Sequence, residues 1–295
     1  MEHNNSSNGS LTVSTEYLIA SSVMAVCFIL GVPANIAVII RLAGWLKEGS
    51  FTPRLMLSLA ISDLLSLLSL PVWIWSLLND WIFGLVLCKL LFYLQSLGVY
   101  CSILCVILMS AQRYTQVLHP DKWNKLGRKG KKILLGGMWI LSGVLSCYAP
   151  VQRTVSQNNV GRLQCSLDYR NDVERVGTLT WEIILFVLLF PTLTYFYFHL
   201  YQGVNNSAFF SSRSLTKLVI RIVACFFIFW IPFQISNIVI ITMLLTNNSF
   251  IKSAESVENI TTALIFINSC VNPFLYAFSA RALHVQQHKD TKEDA

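Results

Sequence analysis

Ionisable side chains are scarce in the long apolar runs of this sequence, and three of them could do chemistry there. They are Asp63, Glu182 and His199. A charge inside an apolar span is costly and is by default a functional hypothesis. No metal-ligand spacing and no nucleophile with a base accompanies them, so an enzyme is not expected. A transporter would need internal repeats or several charges along a path, which makes that class a remote alternative.

Asp63 has polar neighbours at a similar predicted depth, which suggests a pocket for a small hydrated cation such as sodium. These neighbours are Asn35, Ser102, Asn268, Ser269 and Asn272. Carboxylate and carbonyl oxygens are the ligands that hard cations prefer. A purely structural hydrogen-bond cluster is the alternative. No other cofactor is expected.

Cys88 and Arg113 mark the two ends of one long uncharged run. Between Lys89 and Arg113 there is no charged residue and no histidine. A helix from Cys88 to Arg113 is about 37 Å long at about 1.5 Å per residue, which is enough to cross a hydrocarbon core about 30 Å thick. Gln112, Arg113 and Tyr114 then place a cation where the helix leaves the membrane.

The eight cysteines divide into two groups by position. Six lie inside apolar runs, where a small buried side chain is the simplest interpretation: Cys27, Cys101, Cys105, Cys147, Cys225 and Cys270. Cys88 and Cys165 remain, and both are predicted to lie on the oxidising side of the membrane. We therefore expect a disulfide that ties the loop at 152–176 to the top of the third span.

The composition indicates a membrane protein. Hydrophobic residues make up 54% of the chain and charged residues 13%, against about 25% charged in ordinary soluble domains. Seven apolar runs are each about long enough to cross a bilayer as a helix: Tyr17–Ile40, Leu55–Leu78, Leu90–Ala111, Ile133–Val151, Gly177–Tyr201, Ile222–Leu245 and Ile260–Phe278. We predict an all-α bundle of seven transmembrane helices at 17–280, with an extracellular segment at 1–16 and a cytoplasmic tail at 281–295.

Lysine and arginine are distributed unevenly between the two sides, which sets the orientation. The richer side should be cytoplasmic, so the N-terminus is predicted to lie outside the cell and the protein to reside in the plasma membrane. The net charge of +7 comes mostly from this cytoplasmic rim, which favours a topology signal over nucleic-acid binding. Asn4, Asn5 and Asn8 begin glycosylation motifs in the outer segment.

Five prolines fall in different spans, and a proline inside a helix removes a hydrogen bond and kinks it. They are Pro71, Pro150, Pro191, Pro232 and Pro273. Trp230 comes two residues before Pro232, in mid-span, where its N–H needs a partner. A large ring beside a kink is a candidate switch, although packing is the commoner role of such a tryptophan.

Taken in order, the motifs of this chain resemble the rhodopsin-like G-protein-coupled receptors. The resemblance covers every span and is carried by Asn35, Leu59-Ala60-Ile61-Ser62-Asp63, Trp81 with Phe83-Gly84, Cys88, Arg113-Tyr114, Trp139, Cys165, Pro191, Phe229-Trp230-Ile231-Pro232 and Asn272-Pro273-Phe274-Leu275-Tyr276. A narrower resemblance is to the chemoattractant branch, and most closely to leukotriene B4 receptors. It is carried by Tyr100, Arg153-Thr154-Val155, Arg175 with Leu179 and Glu182, Phe229-Trp230, and Asn259 with Ala263-Leu264 and Ser269-Cys270-Val271-Asn272-Pro273.

The resemblance implies a mechanism. An extracellular ligand favours an outward swing of the sixth helix, which opens a cytoplasmic cavity for a heterotrimeric G protein, usually of the inhibitory class in this branch. Arg113 and Tyr114 are then expected to contact the G protein, with Lys217 and Arg221 beside them. The residues expected to act as the switch are Phe226, Trp230, Pro232, Asn272, Pro273 and Tyr276.

The outer ends of the spans suggest an apolar, aromatic cavity flanked by Arg153 and Arg175. Trp73, Phe92 and Tyr100 supply its rings. This combination fits an acidic lipid mediator such as leukotriene B4, whose carboxylate would pair with a guanidinium while its chain lies below. Two solvated loop arginines are the alternative.

A chemotactic peptide is the second predicted ligand class. Glu182 and Glu258 would then be the anchors, for a cationic side chain of the peptide. Trp230 completes the set of predicted ligand-binding residues, and it would link the ligand to the switch.

The chain beyond Tyr276 predicts a short amphipathic helix that lies on the membrane lipid of the inner leaflet. Phe278, Ala282 and Val285 recur at helical spacing with Arg281 beside them. Thr291 is the phosphorylation candidate of the tail, whereas four serines precede the sixth span: Ser207, Ser211, Ser212 and Ser214. Arrestin, as a further partner, is therefore expected to depend on that loop.

The chain departs from the pattern of the family at several positions. Gln112 stands where the family has an acid, and His199 where it has a tyrosine. Phe92 replaces a histidine of the leukotriene receptors, and Glu258 stands where they can have a cation. Gln112 can form hydrogen bonds but carries no charge, so Arg113 is expected to be less restrained than in the family.

Overall fold

The computed structural model describes residues 15–44, 51–157, 161–205, 210–246 and 250–293. The helices are α1 (Thr15–Ala43), α2 (Phe51–Leu67), α3 (Leu70–Leu78), α4 (Gly84–Leu118), α5 (Pro120–Lys125), α6 (Gly127–Ser146), α7 (Asp172–Asn205), α8 (Phe210–Leu245) and α9 (Ile251–Glu293). The strands are β1 (Arg153–Gln157) and β2 (Leu163–Leu167), which form an antiparallel hairpin.

Within the described residues, seven helical segments correspond to the seven predicted spans, with α2 and α3 sharing the second. Five of these segments are long and apolar enough to cross a membrane: Thr15–Ala43, Phe51–Leu78, Gly84–Leu118, Asp172–Phe196 and Lys217–Leu245. The other two, α6 and α9, are more polar, because α6 opens with four cations and α9 carries several asparagines. The all-α bundle is thus confirmed.

Proline breaks the second span but not the later ones. The turn at residues 68–69 ends α2, and Pro71 lies in the first turn of α3, where its missing N–H is tolerated. Pro191, Pro232 and Pro273 lie inside continuous helices. Pro150 was predicted to interrupt the fourth span, which is wrong. The helix α6 has already ended at Ser146, and Pro150 has no N–H to donate to the Ser146 oxygen four residues before it.

The chain after the seventh span differs from the prediction. Instead of a separate amphipathic helix, α9 runs unbroken from Ile251 to Glu293. After Pro273 the sequence up to Glu293 contains no glycine or proline, so nothing interrupts the backbone hydrogen bonds. The predicted boundary at 280–281 therefore lies within a continuous helix.

Close packing of α2 against α4 fixes the centre of the bundle. A Cβ atom at Gly98 would collide with the hydroxyl of Ser66 and would lie 2.7 Å from the backbone oxygen of Ser62. Only glycine allows this approach. Below it, one buried cluster joins α2, α4 and α8 through large apolar side chains such as Leu59, Met109 and Ile222.

The β-hairpin was not predicted, because a polar loop of this length gives little periodic signal. Its register places Val155 opposite Cys165, and the predicted disulfide between Cys88 and Cys165 is present. The backbone N–H of Trp81 also donates to the oxygen of Leu163 at 2.9 Å. We call this side of the bundle the disulfide end, and the opposite side the Arg113 end.

Candidate functional site

A cavity of about 240 Å³ lies beneath the hairpin at the disulfide end, between α4, α7, α8 and α9. Its lining is mainly apolar and aromatic. Six of the eight predicted ligand-binding residues line it: Phe92, Tyr100, Arg153, Glu182, Trp230 and Glu258. Apolar walls with a few charged groups are typical of small-molecule sites.

Arg153, the first residue of β1, supplies the cation of the cavity. Its guanidinium carbon lies 3.2 Å from the centroid of the Phe92 ring. Its Nε atom is buried and has no hydrogen-bond partner among the described residues. Burial lowers the pKa of Arg153 to about 9, an effect that nearby Tyr169, Glu182 and Glu258 partly offset. The group is therefore a cation at neutral pH with an unmet donor.

Glu182 supplies a carboxylate from α7 to the same cavity. Its Oε2 atom accepts a hydrogen bond of 3.1 Å from Asn237 Nδ2 on α8. Gln234, one turn earlier on α8, also lines the cavity, and its buried Oε1 atom has no partner in the part of the chain that the structure describes. This wall of the cavity can therefore accept hydrogen bonds from a donor on a ligand.

A polar network that the sequence did not reveal lies where the hairpin meets α7. The Gln152 side chain donates to the Tyr148 hydroxyl at 2.7 Å and to the Thr178 hydroxyl at 3.0 Å. All three residues line the cavity. They are ordinary polar residues without a characteristic spacing, so only the fold brings them together.

Trp230 and Phe226 connect the cavity to the core of the bundle. Their rings stack with centroids 5.3 Å apart and planes inclined by 29°. Both residues line the cavity, and Phe226 is fully buried in the cluster formed by α2, α4 and α8. Pro232 follows them in the same helix, so the stacked pair joins the cavity wall to the proline of α8.

Asp63 lies deeper in the bundle and is fully buried. It accepts hydrogen bonds from Ser102 Oγ at 3.0 Å and from Asn272 Nδ2 at 2.8 Å. Asn268 is also buried, but its Oδ1 atom has no partner among the described residues, and the same holds for Oδ1 of Asn35 and Asn272. Buried carboxylate and amide oxygens are the ligand type that a small hard cation prefers.

Arg113 is buried at the opposite end. It donates to the hydroxyl of Thr52 at 2.8 Å and to Gln116 at 3.1 Å. Gln112 donates to the same Thr52 oxygen at 2.8 Å. A hydroxyl from α2 therefore restrains Arg113, and the expectation that Arg113 is less restrained than in the family stays a prediction.

Comparison with known proteins identifies the family. Residues 34–276 match the family described as 7 transmembrane receptor (rhodopsin family). The chain belongs to this family. It is 31% identical to the C5a anaphylatoxin chemotactic receptor 1 of Rattus norvegicus over 87% of this chain and 74% of that one. It is 29% identical to the leukotriene B4 receptor 1 of Homo sapiens over 93% and 80% of the two chains. The C-X-C chemokine receptor type 2 of Mus musculus is also 29% identical, over 78% and 66%.

The rhodopsin-family receptor described here is thus a multi-pass membrane protein of the chemoattractant type. Its family is one of receptors, in agreement with the lack of enzyme motifs. The similarity to the C5a receptor is about as strong as that to the leukotriene B4 receptor, so the narrower resemblance does not select a ligand.

Two predicted ligand residues of the receptor lie outside the cavity lining. Trp73 is buried behind Phe92, with ring centroids 4.5 Å apart, because it fills the space between α3 and α4. The guanidinium of Arg175 lies 5.7 Å from the ring centroid of Tyr169, which does line the cavity. Both residues support the wall rather than forming it.

Tyr114 packs away from Arg113, against aromatic residues of α7. Its ring lies 5.4 Å from that of Phe196 and 6.1 Å from that of His199. The histidine that departs from the family pattern thus packs against Tyr114. Lys217 and Arg221 are exposed on α8, where a partner can reach them.

Some predictions fall outside the described residues. The side chain of Tyr276 is among these, as are the glycosylation motifs at Asn4, Asn5 and Asn8. The side chains of the four serines before the sixth span are outside as well. These assignments stay predictions.

Proposed function

We propose that this receptor lies in the plasma membrane with the disulfide end outside the cell, binds an extracellular ligand through an anionic group, and activates a heterotrimeric G protein of the inhibitory class. The unmet Nε donor of Arg153 in the cavity is the observation that supports it most. A buried N–H donor without an acceptor is costly. A ligand carboxylate or phosphate would supply that acceptor.

The preferred ligand class is an acidic lipid mediator. Phe92, Tyr100 and Trp230 give the cavity aromatic walls beside Arg153, which suits a carboxylate attached to an apolar chain. At about 240 Å³ the cavity is smaller than the ~300–1,000 Å³ of typical ligand sites. The cavity therefore has room for only one end of such a chain. A longer part of the chain would fit only if the helices around the cavity moved apart.

A chemotactic peptide is the second candidate, because Glu182 and Glu258 line the same cavity. These carboxylates would offset part of the attraction between Arg153 and an acidic lipid, whereas a peptide with a carboxylate and a cationic side chain would match both signs. One of the relatives is named for the C5a anaphylatoxin.

The first experiment separates the two classes. Leukotriene B4 and C5a are added to cells that express the receptor, and the fall in cyclic AMP is recorded. A response to either supports coupling to an inhibitory G protein, and the active ligand shows the class. If neither ligand lowers cyclic AMP while the receptor is labelled at the cell surface, the ligand proposal is wrong.

The second experiment tests the role of Arg153. Loss of a charge-assisted hydrogen bond costs about 1.5–3 kcal/mol, so Arg153→Ala should weaken the active ligand about 10- to 150-fold. Arg153→Lys keeps the charge but not the planar donors and should lie in between. Arg170→Ala is the matched control, because Arg170 is exposed in the same loop region. If the ligand is equally potent on the Arg153→Ala and Arg170→Ala receptors, Arg153 does not bind its anionic group.

Orientation and the further partners are part of the same proposal. An epitope placed before Thr15 should be labelled on intact cells if the disulfide end is outside. Arrestin would bind at the Arg113 end after phosphorylation of the loop that carries the four serines. A sodium ion is proposed to lie beside Asp63, held with Ser102, Asn268 and Asn272, where it would stabilise the resting bundle.

A further inference from the structure

The two ends of the β-hairpin are attached to the bundle by different contacts. At one end, the backbone N–H of Trp81 donates to the Leu163 oxygen at 2.9 Å, and the disulfide holds Cys165 in the middle of β2. Arg153 lies at the other end, opposite Leu167 in the register. At about 3.3 Å per residue, this pair is about 7 Å beyond the disulfide along the strand. The end that carries Arg153 therefore needs an attachment of its own.

Gln152, the residue before β1, supplies this attachment. Its side chain is buried, with 6% of its surface exposed. The amide nitrogen donates to the Tyr148 hydroxyl at 2.7 Å and to the Thr178 hydroxyl at 3.0 Å, and a third acceptor, Glu174 Oε1, lies 3.4 Å away. Tyr148 follows the end of α6, whereas Thr178 and Glu174 belong to α7. One buried amide thus joins the hairpin to two helices.

The backbone of Gln152 belongs to the hairpin. Its oxygen accepts a hydrogen bond of 2.8 Å from the Asp168 N–H, which extends the pairing of the strands by one residue beyond Arg153. A planar peptide unit joins Gln152 to Arg153, and each residue has only two soft backbone dihedrals. Fixing Gln152 therefore limits the positions that the Arg153 side chain can reach over the Phe92 ring.

The network around Gln152 is also the main polar link between α6 and α7 at this end. Among the described residues, both helices pack against α4 rather than extensively against each other. The Thr178 hydroxyl has further partners in Gln152 Oε1 at 3.4 Å and the Glu174 backbone oxygen at 3.0 Å. A buried polar network whose members are bonded favours one arrangement over its alternatives. Here that arrangement includes the start of β1.

We propose that Gln152 is a positioning residue of the ligand site. By joining the end of α6 to α7, it fixes the start of β1 and holds the Arg153 guanidinium over the Phe92 ring. It acts on the anionic group of the ligand through Arg153, and it determines the affinity for ligands that carry such a group. The inference rests on the proposed function in that Arg153 is taken to bind the ligand.

The first test needs no ligand and measures hydrogen exchange of the purified receptor by mass spectrometry. Gln152→Leu nearly keeps the volume of the side chain and removes the amide. Two neutral hydrogen bonds are together worth about a factor of ten in a local opening equilibrium. Exchange at the Arg153 and Asp168 amides should therefore be about tenfold faster, and exchange at Trp81 should be unchanged. Unaltered exchange at Arg153 and Asp168, or an equal increase at Trp81, would overturn the proposal.

The matched control removes a side-chain hydrogen bond from the same hairpin. Ser156 and Ser166 bond to each other across the strands at 2.8 Å, at an exposed position. Because this bond does not reach a helix, Ser156→Ala should leave exchange at Arg153 as in the wild type. If Gln152→Leu is not recovered, Thr178→Val removes the partner on α7 and should speed exchange at Arg153 about threefold. Equal exchange in the Ser156→Ala and Thr178→Val receptors would then overturn the proposal.

A compensating swap tests the network rather than the size of the side chain. Gln152→Glu alone brings a second carboxylate to Glu174 and should speed exchange at Arg153 as Gln152→Leu does. Adding Glu174→Gln restores one amide and one carboxylate in exchanged places, and the hydroxyls of Tyr148 and Thr178 can donate to Glu as they accept from Gln. The swapped receptor should return close to wild-type exchange. If it exchanges as fast as Gln152→Leu, the hydrogen bonds do not position this segment.

The second test measures binding of leukotriene B4 or C5a, whichever lowers cyclic AMP through the wild type. Gln152→Leu should weaken binding about tenfold, because a displaced guanidinium loses part of a charge-assisted hydrogen bond. In an Arg153→Ala receptor the same change should cost less than about twofold, since Arg153 is no longer there to be positioned. Equal losses in the two backgrounds would overturn the proposal. If neither probe acts on the wild type, the proposed function fails, and the exchange measurement still decides whether Gln152 fixes the start of β1.

Discussion

Two arginines of this receptor, the half-buried Arg153 and the buried Arg113, are held in opposite ways. At the disulfide end, the Arg153 guanidinium covers the Phe92 ring, and its Nε atom meets no acceptor among the described residues. At the Arg113 end, Arg113 already donates to Thr52 and Gln116. A buried donor without an acceptor is ready for a ligand, whereas a donor that is already bonded must be released before a partner can use it.

This contrast suggests different roles for the two ends of the bundle in signalling. Under the proposed function, Arg153 would gain a hydrogen bond when a ligand binds, and Arg113 would have to give up hydrogen bonds when a G protein binds. A ligand shifts a two-state equilibrium only by the difference in its affinity for the two states. The strength of the Thr52 contacts therefore sets how much of that difference is needed for activation.

The largest expected effect comes from removing the tether of the hairpin. Cys88→Ser with Cys165→Ser frees the strand that places Arg153 over the cavity, and loss of a native disulfide costs about 2–5 kcal/mol in small secreted domains. We expect a strong loss of surface expression and of ligand affinity, measured by antibody labelling and radioligand binding. Cys147→Ser removes an exposed free cysteine and should change neither. A double variant with normal binding would contradict the role of the tether.

The next prediction concerns the contacts of Arg113 at the opposite end of the bundle. Thr52→Val removes the oxygen that Gln112 and Arg113 share and leaves both donors buried, at a cost of about 1–3 kcal/mol. If the resting state bears this cost, nucleotide exchange without ligand should rise about tenfold or more. Thr52→Ser keeps the hydroxyl and should stay near the wild type. Unchanged basal exchange in the valine variant would show that Thr52 does not restrain Arg113.

A smaller effect is expected from restoring an acid beside Arg113. Gln112→Glu keeps the shape of the side chain and adds a charge that can attract the guanidinium. If this contact adds about 1.4 kcal/mol to the resting state, basal exchange should fall about tenfold at most. Membranes with matched receptor density would be compared in the same exchange assay. Equal or higher exchange would show that the missing acid does not set the resting state.

The sequence predicted the transmembrane helices and the disulfide, but few of the contacts between side chains. Seven spans and the pairing of Cys88 with Cys165 follow from hydropathy and from position, which are properties of single residues or short runs. The hydroxyl of Thr52 and the network around Gln152 could not be predicted. They depend on which helices meet, and a threonine or glutamine has no characteristic spacing. Arg175 was placed in the cavity because the sequence shows proximity to the loop but not the direction of a side chain.

The buried Asp63 combines features of Arg153 and Arg113, and the smallest effect is expected there. It accepts hydrogen bonds from Ser102 and Asn272, as Arg113 donates to its own partners. Yet the Oδ1 atom of Asn272, whose amide nitrogen donates to Asp63, has no partner in the described part of the bundle, and neither do the buried Oδ1 atoms of Asn35 and Asn268. A hydrogen-bond cluster that was purely structural would leave few such oxygens. The proposed sodium ion would therefore be held weakly, because protein donors already bond to the carboxylate of Asp63.

The measurement for this site is the unfolding temperature of the purified receptor in sodium chloride and in choline chloride at equal ionic strength. A fivefold excess of sodium over its dissociation constant stabilises the folded state by about 1 kcal/mol. For a chain of this size we expect a rise of about 2–4 °C. Asp63→Asn keeps the shape but removes the charge, so its unfolding temperature should be the same in both salts. A wild type that unfolds at one temperature in both salts would leave Asp63 with a structural role alone, since its hydrogen bonds to Ser102 and Asn272 do not require the cation.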